Sequence, residues 1–524
     1  MNAGRRLSAL ALALAAPLAA ATLDAAPAGE KAPRTAMVVA QLPADGASPA
    51  AIANEALGPV AGEGGRIVLV SPDGETRVLT AGFESAADPD VSFDGKSILF
   101  AARKAASDPW CVWEMKADGS GARKVTCGAA GARQPAYQST VYTITPTNVE
   151  PWVQVAFVGE DPGEREEKGV APHTSLWSCK TDGSALRRLT FNLSNDADPV
   201  ILPDGRMVYA GWLRSPGGGD RVALLGVNED GTDYQTYAGD EGLRVKRMPA
   251  PTAKGLVLFV ESDGIAGDGS GRLASVSQLR PLHSYRSLTA ESDGLFRAPS
   301  ALPDGRALVA WAPGPGAGRF AIYRFDPATG AREKAFDEAG WSSVAARLVA
   351  PRPVPDSRSS VVRDDDREGK LYTIDVGIQA SGRELPKDVA KTLRVVEGVP
   401  ATADRPVSRR LLGDAPIAGD GSYQVQIPAN TPVQLELLDA SGTALRSSAW
   451  LWVRNHAAQG CVGCHEDPER TPPNRLMKAL SAPAPVLDPP PEKRRTLSDA
   501  SAFGTPSAGD VRAFVQSIDP GGQP

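Results

Sequence analysis

LWSCKTDGSALRRLTFNLSNDADPVILPDGRMVYAGW, running from Leu176 to Trp212, holds four short β-type runs separated by turn residues. One strand ends at Asp182-Gly183, a basic-apolar strand ends in Leu189-Thr190, Asp198-Pro199 follows, and a second turn at Asp204-Gly205 leads into an apolar strand. Gly accepts the positive φ of a tight turn and Asp bonds the local backbone, so these pairs read as turns rather than metal ligands. The same beats recur along the chain. Asp73-Gly74 precedes Val78-Leu79-Thr80, Asp88-Pro89 and Asp94-Gly95. Further first turns fall at Asp118-Gly119, Asp230-Gly231, near Arg280-Pro281 and at Asp326 to Gly330, and Asp304-Gly305 is another second turn. A repeat of roughly 45 to 50 residues built from four short strands is the mark of a propeller blade. Six copies are legible. The expectation is a mainly β protein with a six-bladed β-propeller over 61–350, or seven blades if a strand near Met37 to Leu42 and the divergent stretch Ala136 to Ala171 add another.

Upstream, Arg5 and Arg6, the apolar run Leu7 to Ala20 and the small residues Ala19 to Ala21 read as a signal peptide over 1–21. That run is too short to span a membrane, so the expected mature protein is periplasmic with no membrane span. Its removal takes the formal charge from −6 to −8, because two arginines leave and no acid does. An acidic chain of this kind is a poor partner for nucleic acid. Residues 22–60, rich in Ala, Pro and Gly, read as a flexible leader in which Met37 to Leu42 is a candidate closing strand. In an oxidising compartment Cys111 and Cys127, equidistant from Gly119 at a hairpin centre, are expected to form a disulfide, with Cys179 left buried. The loop Asp263 to Gly271 lacks calcium-loop spacing, and Arg363 to Glu368 reads as a solvated linker.

Pro351, Pro353 and Pro355 end the repeats, 351–370 is a linker, and a second β pattern covers 371–480 before a Pro-rich tail, 481–524. Tyr423, Val425 and Ile427 alternate with polar residues, as do Val433, Leu435 and Leu437, which predicts a small antiparallel sandwich. Its last strand, Ala449 to Arg454, carries Trp450 and Trp452 toward the sandwich core or a haem edge. Shortly after comes Cys461-Val462-Gly463-Cys464-His465. Two thiols at this spacing match the two vinyl groups of one haem edge, and the following imidazole reaches the iron from the same side. A thioredoxin-like pair or half a zinc site are the rivals, and neither context is present in the sequence. One covalent haem c is the expected cofactor, with Cys461 and Cys464 as attachment residues and His465 as axial ligand.

The repeats resemble the Tol-type propeller repeat. The order of propeller, IYRFDPATGAREKAFD, Pro-rich linker, KTLRVVEGVP and GSYQVQIPANTPVQLELLDASGTALRSSAWLWVRNHAAQGCVGCHED resembles the hydrazine synthase alpha-subunit family, most closely from Leu371 to Pro473. That resemblance implies the same roles for Cys461, Cys464 and His465. It also implies an iron-ligating tyrosine shortly after the motif, where this chain reads Glu466-Asp467-Pro468-Glu469 and has no Tyr up to Pro524. Family members commonly continue into a further cytochrome domain, and Asp510 to Ile518 reads as the approach to one, so a separate cytochrome is the expected electron path.

What occupies the second face of the iron decides between electron transfer and small-molecule chemistry. The candidates are His456, five residues before the motif, Met477 in a short helix over Asn474 to Leu480, and His173 in a long loop; His283 reads as an exposed turn residue. Three functions follow. The first is a periplasmic mono-haem c-type cytochrome that uses its propeller to dock a redox protein or cytochrome. The second is a haem enzyme resembling hydrazine synthase, acting on a small nitrogenous or oxygenated substrate. The third is a propeller scaffold for protein binding with a structural or sensory haem.

Overall fold

The computed structural model of this chain describes residues 35–44, 57–59, 62–143, 152–214, 221–265, 268–315, 318–378, 385–386, 388–463, 469 and 474–497. The expected signal peptide and the end of the tail lie outside them. Among the described residues, six four-stranded antiparallel groups make up a propeller. Its inner strands are Ser85–Val91, Ala132–Thr143, Asp196–Ile201, Val245–Pro251, Leu295–Ala301 and Trp341–Leu348. Each packs beside the next, and the last packs beside the first. We number the units from the one that contains Trp341–Leu348. In that first unit Met37–Pro43 pairs with both Trp341–Leu348 and Arg66–Val70, so the two ends of the propeller share one sheet. Within the stretch 22–60, the strand expected near Met37 to Leu42 is present and closes the propeller, with Met37 to Ala40 buried in the ladder. The divergent stretch Ala136 to Ala171 supplies the long strands Ala132–Thr143 and Trp152–Arg165 of the third unit.

The sequence repeat straddles two structural units. Asp182-Gly183 turns between the outer strands Pro172–Lys180 and Arg187–Arg188 of the third unit, whereas Asp198-Pro199 and Asp204-Gly205 belong to the inner strand of the fourth and its turn. Each beat has a physical role. At the turns the Asp side chain accepts from the backbone two residues on, as Asp182 does from Ser184 N–H (2.9 Å) and Asp204 from Arg206 N–H (3.0 Å). The threonine of Leu-Thr accepts a backbone N–H from a neighbouring strand: Thr80 from Ile67 (2.9 Å), Thr190 from Leu176 (2.9 Å) and Thr289 from Leu273 (2.8 Å). The Pro of Asp-Pro cannot donate to the ladder, and it sits in a bulge of the inner strand. Register breaks there in the second to sixth units, with Asp88, Gln134, Asp198, Met248 and Ala298 all at positive φ. Cys111 and Cys127 are disulfide-bonded beside the paired residues Val112 and Thr126, and Cys179 is buried.

The second domain is two sheets around one core. One holds Tyr423–Pro428, Glu368–Thr373 and Ala458–Cys461; the other holds Ala444–Ser447, Val433–Leu438, Thr392–Val399, Ser408–Pro416 and Thr496–Leu497. Leu371, Val425 and Ile427 from the first face Leu393, Val395 and Val433 from the second. Two boundaries shift. Arg358–Ser360 in the linker pairs with Val141 to Thr143 of the third unit. The tail packs on the sandwich, with Leu487 buried in its core and Thr496–Leu497 paired to Arg409 and Arg410. The predicted strand Ala449 to Arg454 makes only one bridge, Leu451 to Val433, and the strand leading into the motif is Ala458–Cys461.

Trp450 and Trp452 are corrected as well, because both face the propeller. Trp452, 1 % exposed, packs with Phe191 and Tyr234 and donates Nε1–H to the Gly231 carbonyl (3.2 Å). Trp450 donates Nε1–H to Glu167 (2.7 Å). Polar chain between two buried ladders needs partners of its own, and here each domain supplies them to the other.

Candidate functional site

Cys461 is the last residue of an edge strand that runs parallel to Glu368–Thr373, in register with Thr373. Its carbonyl accepts from Ile374 N–H (3.1 Å), and the Val462 carbonyl accepts from Asp375 N–H (3.2 Å). Gly463 packs so closely on Ile378 that a Cβ would run into its carbonyl oxygen, and Gly460 is equally closed off by the Tyr372 ring. The first half of the motif is therefore held by backbone on the turn Ile374 to Ile378. Cys464 and His465 lie outside the described residues.

Glu469, four positions after His465, is placed on the propeller. Its Oε1 accepts from Leu282 N–H (2.7 Å), and its Oε2 pairs with Arg280 Nε (3.3 Å). By Arg475 the chain is back on the sandwich, where the guanidinium meets Asp375 (2.7 Å) and donates to the Ile374 carbonyl (3.1 Å). The motif segment thus touches the sandwich, the propeller and the sandwich again. Beside Glu469 lies a cleft of about 330 Å³ lined by Arg206, Tyr237, Gln278, Leu279 and Arg280. Leu279 is 90 % exposed and Leu476, on the returning segment, 96 %.

The second-ligand candidates are placed differently. His456 stands at the far end of the strand pair from Cys461: its N–H bonds the Glu368 carbonyl (2.9 Å), whereas Cys461 pairs with Thr373. Its Nδ1 is engaged by Asp366 (2.9 Å). His173 is fully buried in the third unit with both ring nitrogens occupied, Nδ1 by Asp161 (2.8 Å) and Nε2 by the Asn192 carbonyl (2.9 Å). The structure brings neither to the motif. Met477, half-buried, precedes a 3-10 turn, Lys478–Ser481, in place of the expected helix. His283 follows Leu282 in the 3-10 turn that holds Glu469, a neighbourhood its sequence context did not reveal.

Sequence reasoning also missed an ionic cluster around His173. Asp161, Glu164 and His173 converge, with Arg188 3.5 Å and 3.4 Å from the two carboxylates and Ser175 hydrogen-bonded to Asp161. Burial alone would lower the His173 pKa, but hydrogen bonds to Asp161 and Glu164 win and raise it to about 9. Asp196, buried nearby, is pushed up to about 7 by desolvation. The three converging side chains have the ligand types of a divalent-cation site, and the Arg188 guanidinium supplies the positive charge there instead. The cluster adjoins the sandwich through Arg454, whose Nη1 donates to the Arg188 carbonyl (3.1 Å).

The hydrazine synthase alpha subunit middle domain family matches residues 371–466, from the strand beside Cys461 to the residue after His465. The solved hydrazine synthase of Kuenenia stuttgartiensis superposes with a TM-score of 0.76 over 86 % of this chain and 72 % of that one, at 22 % identity. This chain is similar to the hydrazine synthase alpha subunit. Hydrazine synthase subunit alpha of Kuenenia stuttgartiensis is 29 % identical over 510 residues, 77 % of this chain and 62 % of the relative. The chain therefore spans under two thirds of that relative's length, and its family match centres on the sandwich and motif.

Proposed function

We propose that this hydrazine synthase alpha-like chain is an exported c-type haem protein that carries out redox chemistry on a small molecule between sandwich and propeller. The carrying observation is the path of the motif segment, which leaves the sandwich at Cys461, meets the propeller at Glu469 beside a cleft, and returns at Arg475. Cys461 and Cys464 would form the thioethers and His465 would face the iron. The donor types fit the group, and the uncovered Leu279 and Leu476 offer apolar surface for a macrocycle to cover. A bound haem would supply one-electron chemistry. The chain's own residues would hold the loop around it: Glu469 ties the loop to Leu282 and Arg280, and Arg475 ties its return to Asp375. His173 has both ring nitrogens engaged elsewhere, and His456 sits at the far end of the strand pair with Nδ1 on Asp366, which favours an open second position and the enzyme reading over the electron carrier. Glu469 occupies the stretch where the family resemblance implies a tyrosine, so the proposal is a haem oxidoreductase rather than hydrazine formation. A periplasmic redox protein would exchange its electrons.

The test is the optical spectrum of the purified protein, oxidised and reduced, with and without carbon monoxide. We expect a covalent haem by pyridine haemochrome and high-spin bands that shift with carbon monoxide. Low-spin bands indifferent to carbon monoxide, converted to high-spin by Met477→Ala, would establish the mono-haem electron carrier in its place. Protein without covalent haem would end both readings.

A further inference from the structure

The bulges of the inner strands carry a pattern that is completed twice and left incomplete once. In the third unit Arg133, just before the bulge, pairs with Asp88, the bulge residue of the second unit (2.7 Å), and Asp88 also accepts from Gln134 N–H (3.1 Å). In the fifth unit Arg247 pairs with Asp198, the bulge residue of the fourth (2.9 Å), which accepts from Met248 N–H (3.1 Å). In the sixth unit Arg297 holds the same position, but the bulge residue of the fifth is Met248. Ala298 N–H accordingly points at the Met248 sulfur (3.3 Å), and no carboxylate stands before Arg297.

Arg297 is 6 % exposed, and its Nε is buried with no partner. Among the described residues no carboxylate comes within the 4.0 Å of an ion pair, and the guanidinium has only the Phe320 ring at 5.6 Å. Burial, with Asp268, Asp88 and Asp198 acting only from a distance, pulls its pKa down to about 10, so the group is still charged at neutral pH. Arg247, in the same ring of inner strands, is further covered by the Gly58 carbonyl (2.7 Å), a contact that Arg297 lacks. A buried cation without a counter-charge is costly, and two neighbouring copies of the arrangement show which chemistry satisfies it.

We propose that the inner ring of the propeller holds an anion site at Arg297, taking a carboxylate or small oxyanion in the place that Asp88 and Asp198 fill for Arg133 and Arg247. The ligand is free in solution or is the carboxylate at the end of a peptide. This site is independent of the haem reading.

The test uses the whole purified protein, with calorimetric titration and thermal melting at constant ionic strength in chloride. The probes are acetate, phosphate, and a short glycine peptide with a free or an amidated C-terminus. Two variants are compared: Arg297→Met, which removes the charge at similar volume, and Met248→Asp, which rebuilds the internal partner. Saturable binding by wild type, weakened about ten-fold or more in both variants as expected for loss of a charge-assisted hydrogen bond, supports the site. Saturation by acetate or phosphate identifies a free ion; saturation only by the peptide acid identifies a peptide end. If no probe saturates the wild type, or if binding is undiminished in Arg297→Met, the site does not exist. Should Met248→Asp fail to fold, Arg297→Met alone decides.

Discussion

His173 is a residue whose role changes with scale of view. As a lone imidazole in a long loop it is a ligand candidate; in place it is a cation between Asp161 and Glu164, with Arg188 alongside. Its folded pKa of about 9 lies above the ordinary 6.5, so its contribution to stability is fully present below pH 6.5 and is lost as pH rises through 9. A shift of that size is worth about 3 kcal/mol. Asp196 acts in the opposite sense: raised to about 7, it weakens the fold progressively from its ordinary 3.8 up to that pH. We expect His173→Gln to lower the melting temperature at pH 6 and to converge on the wild type above pH 9.5. An undiminished difference at pH 10 would assign the effect to packing. None of this was readable from the chain, because Asp161, Glu164 and Arg188 are common surface residue types that only strand pairing assembles.

At the level of the element, the Leu-Thr beat was visible as a pattern without a cause. The threonine hydroxyl of each copy accepts a neighbouring strand's N–H that the ladder leaves over, at Thr80, Thr190 and Thr289 alike. Thr190 is fully buried, so Thr190→Val keeps the shape and orphans Leu176 N–H, and should cost about 1 to 3 kcal/mol in a denaturant melt. A neutral outcome would mean that water reaches the strand. The Asp-Pro beat was likewise legible while its place was not. Turn chemistry is local, so Asp204-Gly205 could be named from two residues, but a bulge exists only relative to the partner strand, here Met207–Leu213. The same limit explains the strand predicted over Ala449 to Arg454: its alternation is real, but its tryptophans answer to the propeller.

For the whole molecule, the junction of the two domains is the decisive feature. Trp452 fills a propeller cluster with Leu189, Phe191 and Tyr209, and lies nine residues before Cys461, the end of the strand Ala458–Cys461, to which it is joined through Arg454 and the turn at His456. Trp452→Ala should cost about 3 to 5 kcal/mol and split one thermal transition into two, as the sandwich comes free of the propeller. A single transition at lower temperature would mean that the domains unfold together without it. What the sequence by itself determined is whatever depends on neighbours along the chain: the Asp-Gly turns, the four-strand period, the alternation of the sandwich strands, and the Cys461 to His465 spacing. The tertiary structure decided what depends on groups brought together from afar. Glu469 meets Leu282 across 187 positions, Trp450 meets Glu167 across 283, and Ala298 N–H meets the Met248 sulfur where the matching N–H groups of Gln134 and Met248 meet aspartates. Ion pairs, buried donors and interdomain contacts are properties of distance in space, and chain periodicity carries no information about them until the inner strands close into a ring.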